Sequence, residues 1–254
     1  MTQGSQRRER PAWLMRARLA LAAPALVLAQ ASAAEPPPLR IVTPTSQSMP
    51  LLRMEDHRPV DGILKDLGEA LARRLGLSPV FVALPSKRVT AALVSGAADL
   101  LCHAKAEWLG GKLLWTQPFL SGAGVIAAGP DAPGVSRLQD LRDEALGTVL
   151  GYRYPVLDQA FEQAVRREDV ADAETNLRRL ALGRIRYAVT ERAALTYYLR
   201  AHPAAGLREL MEVEPYQLGC ALSPHRAELL PTLNQAIERM IADGTLDRLL
   251  NRYR

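Results

Sequence analysis

The chain has 254 residues, 48% of them hydrophobic, and a formal net charge of +5 at pH 7. Most of the basic excess sits in residues 1–33, which hold five arginines and one glutamate, so the rest of the chain is close to neutral. A near-neutral body excludes nucleic-acid binding through a basic face, and the roughly 220 residues beyond that segment suit one large domain or two lobes of about 100 residues each.

Residues 1–33 read as a secretory signal peptide. Arg7, Arg8, Arg10, Arg16 and Arg18 make a basic stretch ahead of an apolar run from Leu19 to Ala29, and Ala31-Ser32-Ala33 supplies small residues for cleavage. The run is too short for a retained membrane span, and no later run is long and apolar enough. Export to the periplasm is therefore expected. Arg7-Arg8 raises a twin-arginine route, but Glu9, Arg10 and Pro11 fit it poorly. No cysteine stands near the cleavage point to carry a lipid anchor. Residues 34–38 form a Pro-rich leader, extended because proline fixes φ and removes a donor.

Leu39 to Thr43 is the first predicted strand, and Pro44 to Pro59 reads as irregular. Asp61-Gly62 marks a turn. Ile63, Leu67, Ala70, Leu71 and Leu75 recur at helical spacing up to a stop at Gly76. Val80 to Leu84 is a second strand, Arg88 to Val94 a second helix stopped at Ser95-Gly96, and Ala98 to Cys102 a third strand. Such alternation predicts an α/β fold with mostly parallel strands. Ligands of such sheets sit at the carboxyl ends of strands, here residues 44–50, 85–88 and 103–108. A further strand is expected over Gly124–Ala128. Beyond a turn-rich connector at 130–134 the pattern restarts: a short helix at Leu138–Leu141, a strand at Leu146–Leu150, and a helix from Pro155 to Val165 whose first turn lies beside Tyr152 and Arg153. Asn176 to Thr190 repeats the helix–Gly–strand order of residues 88–102, which suggests two similar lobes, although any α/β chain can produce one such echo by coincidence. A helix at Glu191–Arg200, a strand at Gln217–Leu222 and a closing helix at Pro231–Arg252, interrupted at Gly244, complete the chain.

Two cysteines, Cys102 and Cys220, each lie in an apolar, strand-like run. An oxidising compartment allows a disulfide between them; equally, each suits a small buried hydrophobe. There is no paired-cysteine spacing and no histidine pair at ligand spacing, so neither a metal nor another cofactor is expected.

Several stretches together resemble the periplasmic solute-binding proteins of family 3, the amino-acid-binding type that serves ABC transporters. Val60-Asp-Gly-Ile-Leu-Lys-Asp66 is similar to the Gly-hydrophobe-x-x-Asp start of a helix in that family. Pro85-Ser-Lys-Arg88 followed by Gly96-Ala-Ala-Asp99 resembles its Pro-x-x-Arg…Gly-x-x-Asp unit. Trp115-Thr-Gln-Pro-Phe119 matches an aromatic-Ser-x-Pro-aromatic crossover with Thr for Ser, and Ala242-Asp-Gly-Thr-Leu246 its terminal helix pattern. Gly183-Arg-Ile-Arg186 resembles the second-lobe unit with Arg186 where an Asp is usual. The resemblance covers residues 39–254. It implies a type II two-lobed fold: two mostly parallel sheets joined by two crossing strands near 117–124 and 216–220. Residues 39–120 and 219–254 would form lobe 1, and 121–218 lobe 2.

The resemblance also implies a binding role for a small polar or charged solute in an interlobe cleft, by hinge closure, for a membrane transporter permease or receptor. The protein would act as a monomer. The usual carboxylate-clamping Arg is missing; Lys112 stands near its place as a poorer substitute. His103 replaces a hydroxyl residue at a strand end. Tyr152, Arg153 and Tyr154 replace a Ser/Thr turn, and Arg153 could clamp an anion from the opposite side. Glu191, after Thr190, takes the place of the acid that holds a ligand amine. Trp108, Tyr152 and Tyr154 could stack on a ring or cation. Arg88, unfavourable at a helix start, calls for an acidic partner or a ligand. Each of these also has an ordinary structural role open to it. Two other functions fit the same fold: an accessory or sensor protein without a transport role, and a cyclohexadienyl-dehydratase-like enzyme using Glu191 or His103. No nucleophile–base–orienter set is visible, so binding is expected rather than catalysis.

Overall fold

A computed structural model describes residues 36–161 and 165–254, together with Met1. The predicted signal peptide and the first residues of the leader lie outside the described residues. No helix among the described residues is long and apolar enough to cross a membrane.

The first half begins with β1 (Pro38–Pro44), a hairpin of β2 (Arg53–Glu55) and β3 (Arg58–Asp61), then α1 (Ile63–Leu75), β4 (Ser78–Leu84), α2 (Ser86–Val94), β5 (Leu100–Ala104) and the short β6 (Leu114–Trp115). The stretch expected to be irregular from 44 to 59 thus contains a hairpin. Its turn residues, Asp56 and His57, both take left-handed backbone angles, as two-residue hairpin turns require, but without the Asn-Gly or Asp-Gly pair that announces them. β7 (Leu120–Ala128) crosses to the second half, which contains β8 (Ala145–Val149), α3 (Pro155–Phe161), β9 (Arg166–Val170), α4 (Ala173–Ala181), β10 (Tyr187–Glu191) and α5 (Arg192–Ala201). β11 (Arg208–Leu222) crosses back, and α6 (Leu230–Ala242) and α7 (Thr245–Asn251) close the first half. β9 was not foreseen because its sequence, Arg-Arg-Glu-Asp-Val, is mostly charged; such residues suit the edge strand it forms. The helix expected to reach Val165 is described only to Phe161.

The strand order is β4-β1-β5-β11-β7-β10-β8-β9, with β6 on the end of β11. β1 runs parallel to β4 and β5, and β8 parallel to β9 and β10. The crossing strands β7 and β11 are antiparallel to each other and to their neighbours. The two mostly parallel sheets therefore share one ladder through the crossings. Thr116 Oγ1 accepts from the Cys220 amide at 2.8 Å, so the Thr of the Trp-Thr-Gln-Pro-Phe stretch ties the first crossing to the second.

The hydrophobic cores divide along the same line. One half packs Leu67, Leu71 and Leu100 against Ile237, Met240 and Tyr253, so it is built from the beginning and the end of the chain. The other packs Ile126, Leu146, Phe161 and Tyr187. Tyr253 also lies 2.7 Å from Asp66 and 3.0 Å from Asp61, joining the Asp-Gly helix start to the C-terminus. Gly62 there has φ 116°, and an added Cβ would stand 2.5 Å from Leu51 O, so glycine is required. Cys102 and Cys220 face each other on β5 and β11 and are disulfide-bonded.

The Gly-x-x-Asp stretch has a structural role. Asp99 is fully buried, and its carboxylate accepts from the Arg40 amide (2.8 Å), Arg40 Nε (3.1 Å) and Arg40 Nη2 (2.5 Å). Arg226, before α6, approaches its other side at 3.1 Å. Burial pushes this carboxyl up, but the hydrogen bonds from Arg40, with Arg226 beside it, outweigh that and hold it below the usual carboxylate range. At the corresponding place in the second half, Arg186 is largely exposed and pairs with Glu144 at 2.8 Å. The echo between the halves is thus one of backbone, and the buried charge belongs to the first half alone.

Two outcomes follow for stability. Asp99→Asn should lower the unfolding free energy in urea at neutral pH by about 3 kcal/mol, because it leaves two arginines without their buried counter-charge. A depressed carboxylate contributes above its unfolded pKa and loses that contribution as pH falls through its folded one, so the gap to wild type should narrow below about pH 4. Replacing both cysteines with alanine should cost about 5 kcal/mol in the chain-entropy account, since the bond spans 118 residues.

Candidate functional site

A cavity of about 260 Å³ lies between the halves. It is walled by the carboxyl ends of the parallel strands: Pro44 ends β1, Ser86 and Lys87 follow β4, His103 and Ala104 end β5, Val149 ends β8 and Glu191 ends β10. The crossing strands form the remaining side, with Gly124, Glu214 and Tyr216. The segments 44–50, 85–88 and 103–108 each contribute lining residues, where the sequence placed the strand ends.

Of the nine residues singled out from the sequence, His103, Trp108, Tyr152, Arg153, Tyr154, Thr190 and Glu191 line this cavity. Arg88 and Lys112 do not: both are exposed on the first half and outside the lining. Arg88 has no ion pair with a described acid, so the partner expected for it is missing among the described residues. Lys112 follows Gly110 and Gly111 on an exposed bend; Gly110 reaches the lining and Lys112 does not.

Glu191 is the central charge. It is the last residue of β10 and the N-cap of α5, so its carboxylate leaves the sheet where the chain turns into the helix. Tyr216 donates to Glu191 Oε2 at 3.0 Å, and His103 Nε2 lies 3.4 Å from the same oxygen. Tyr216 comes from the crossing strand β11, opposite Gly122 of β7. An added Cβ at Gly122 would come within 2.4 Å of the Tyr216 ring, so glycine there makes the space that aims the phenol at Glu191. Trp108 packs edge-on against Tyr216 with ring centres 5.1 Å apart. Lys105 pairs with Glu214 at 2.8 Å and sits 5.2 Å from the Trp108 ring centre. The second carboxylate near the cavity is therefore already matched by a cation, and Glu191 is not.

The tyrosines after β8 are held from below. The Val149 amide donates to Tyr154 Oη at 2.9 Å, and the Arg167 guanidinium stands 4.9 Å over the Tyr154 ring. Tyr152 Oη receives a long hydrogen bond, 3.4 Å, from Ser46 of the other half, and Ser46 is in turn 2.6 Å from Ser86. Burial pushes the Tyr152, Tyr154 and Tyr216 phenols well up, so all three stay neutral. Gly151 packs against Lys87, whose Cγ would lie 3.0 Å from a Cβ there. The halves thus touch at Ser46–Tyr152, at Gly151–Lys87 and at His103–Glu191.

Two buried polar atoms in the lining have no hydrogen-bond partner: His103 Nδ1 and Thr190 Oγ1. Arg153 and Lys87 are exposed residues of the lining, and no described guanidinium occupies its interior. Most of the rest is apolar or aromatic, with Leu51, Val89, Val149, Leu157 and Val213 among the walls, beside the neutral polar Gln47, Ser48, Ser86 and Thr90. Chemically the cavity offers one uncompensated carboxylate, unpaired neutral hydrogen-bonding atoms and apolar surface. No group of three or more metal-binding side chains exists among the described residues. Glu214 and Tyr216 were not singled out, because only the crossing strand β11 brings them to the cleft; Ser86 and Lys87 fall within the expected strand-end segment 85–88 without having been named individually.

The model of a family described as bacterial extracellular solute-binding proteins, family 3, matches residues 41–254. No curated protein sequence matches the chain significantly. Among solved structures, an ancestral arginine-binding protein bound to arginine is 23% identical with a TM-score of 0.73, covering 85% of this chain and 97% of that one. The arginine-, lysine-, histidine-binding protein ArtJ from the thermophilic bacterium Geobacillus stearothermophilus is 15% identical at 0.71, covering 85% and 94%. An ancestral amino acid-binding protein, AncCDT-1, a precursor of cyclohexadienyl dehydratase, is 21% identical at 0.71, covering 85% and 95%. At these identities the structural likeness speaks for the two-lobed fold alone. The match of the family model over residues 41–254, on a two-lobed body with a solute-sized cleft at its strand ends, places this chain in family 3 of the bacterial extracellular solute-binding proteins, a family of binding proteins.

Proposed function

We propose that the protein is exported by its N-terminal leader and, in the periplasm, captures a small amine-bearing solute with an apolar or aromatic body, for delivery to a membrane transporter or receptor. The observation that carries this reading is Glu191, a carboxylate only 19% exposed and without a cationic partner other than the ionisable His103, in a cavity whose other carboxylate, Glu214, is paired with Lys105 and whose cations, Lys87 and Arg153, are exposed. A buried carboxylate favours a ligand ammonium that pairs with it and accepts desolvation in return. The tyrosine faces and Trp108 offer the apolar surface that a small ligand needs for most of its burial.

The lack of an interior guanidinium sets the second half of the reading. A free α-carboxylate on the solute would reach a cation only at the exposed Lys87 and Arg153. Solutes without an α-carboxylate, or with the acid far enough from the amine to reach the mouth, fit better than ordinary short α-amino acids.

A thermal-shift screen of amines, amino acids, polyamines, carboxylates and sugars tests this directly. An amine at about a hundred times its dissociation constant should add roughly 2.7 kcal/mol to stability, while simple carboxylates should add nothing. A null result for every class would instead favour an accessory role without solute capture. Glu191→Gln should weaken binding of the best amine by about 10- to 100-fold in calorimetry, the loss of one charge-assisted contact, while leaving the fold intact by circular dichroism. Tyr216→Phe should weaken it less, by about tenfold, since it loosens the carboxylate without discharging it.

A further inference from the structure

His103 occupies an unusual place. It is the fourth residue of β5, yet its backbone takes φ 63°, a left-handed value uncommon for residues other than glycine, although Asn, Asp and His reach it more often than most. The side chain is 10% exposed, its Nδ1 has no partner, and its Nε2 reaches across the cleft to Glu191 Oε2 at 3.4 Å. β5 belongs to the first half and β10 to the second, so this contact spans the hinge.

We propose that His103 is a specificity-determining residue that competes, when protonated, with a cationic solute for Glu191, making the cleft a proton-sensitive latch. The proposal rests on the amine reading above for its solute, but the latch itself does not. The ionisable groups that share the cavity with His103 are Glu191 on β10, Tyr216 and Glu214 on β11, Tyr152, Arg153 and Tyr154 after β8, and Lys87 on α2, with Lys105 two residues along its own segment; Lys87 and Arg153 are exposed. Glu214 is neutralised by Lys105 at 2.8 Å, and the tyrosines remain neutral, so Glu191 is the charge that His103 meets. A neutral imidazole leaves the carboxylate open to an ammonium and offers Nδ1 as a hydrogen-bonding atom for a polar group on the solute. An imidazolium pairs with Glu191 itself. It then ties the halves together without a solute and repels an arriving cation. Linkage makes the effect reciprocal: a bound cation expels the proton. Acid should therefore close the solute-free protein and weaken its hold on a cation.

Small-angle scattering on the solute-free protein at about pH 8 and about pH 5.5 reads the latch, since this range brackets ordinary histidine titration. Wild type should become more compact on acidification. His103→Asn, which keeps the left-handed backbone at little cost, should not, and neither should Glu191→Gln. His103→Gln replaces the Asn variant should that one not fold. Equal dimensions at both pH values in wild type, or the same compaction in the variants, would overturn the latch. Calorimetry with phenethylamine, ionised across this range, reads the competition. Its affinity should fall about tenfold from the higher to the lower pH in wild type, within the coupling common between linked sites, and less than about twofold in His103→Asn. An equal fall in both would overturn the competition. Absence of binding at either pH would count against the amine reading and leave the scattering to decide the role of His103.

Discussion

The pairing of β7 with β11 is the constraint from which the rest of this molecule follows. The two strands share an antiparallel ladder from Arg208–Ala128 to Leu218–Leu120, and β11 then continues against β5 of the first half. Each strand thus belongs to both lobes, and the cleft opens where the shared ladder meets the strand ends. A shift of one residue would turn every side chain to the opposite face. It would move Tyr216 off Gly122 and away from Glu191, and Gly219 away from the Thr116 hydroxyl. The ladder is irregular between Glu209 and Met211 and between Glu212 and Glu214. Such bulges bend a strand and raise its twist, which suits a segment that must leave one sheet and enter another.

On that frame the charges divide by role. The buried Asp99, paired with the partly exposed Arg40 and Arg226, fastens β1 and β5 to the segment before α6. Arg192 fastens the start of α5 to Glu209 and Glu212 of β11. Lys105 and Glu214 answer each other beside Trp108 and Tyr216. These pairs are internally satisfied. Glu191 stands apart: its neighbours at Oε2 are a neutral phenol and an ionisable imidazole. A carboxylate withdrawn from water and left without a fixed cation is costly in a structure of this size, and a binding protein recovers that cost when the solute brings the missing charge.

Much of the fold was legible in the sequence because its cues are local. Apolar residues at helical spacing closed by Gly76 give α1, and Gly183 ends the run that becomes α4. The Asp-Gly turn, the Trp-Thr-Gln-Pro-Phe crossover and the Gly-x-x-Asp stretch each mark one junction. What local cues could not show was how far β11 extends, since residues 208–215 alternate charged and apolar side chains that also suit an exposed loop. β9 and the β2–β3 hairpin escaped for similar reasons, one by its charges and the other by its Asp-His turn.

The cleft was legible residue by residue only where a strand end carries its own ligand-facing side chain, as with His103, Glu191 and the tyrosines after β8. Arg88 was chosen because a cation at a helix start needed a partner, and Lys112 because it stands near the place of the family's carboxylate-clamping Arg; both are exposed to solvent instead. Tyr216 was missed because nothing in its neighbourhood along the chain marks it; its role comes from Gly122, nearly a hundred positions away in sequence. The central claim is that the halves close over an amine held by Glu191. Spin labels on cysteines placed at Thr45 and Leu150, exposed positions beside the contacting Ser46 and Gly151, would report the width of the mouth. The account predicts that saturating phenethylamine shortens and narrows that distance distribution, and that Glu191→Gln shifts the change to a higher phenethylamine concentration. A distribution unchanged by a solute that demonstrably binds would contradict it.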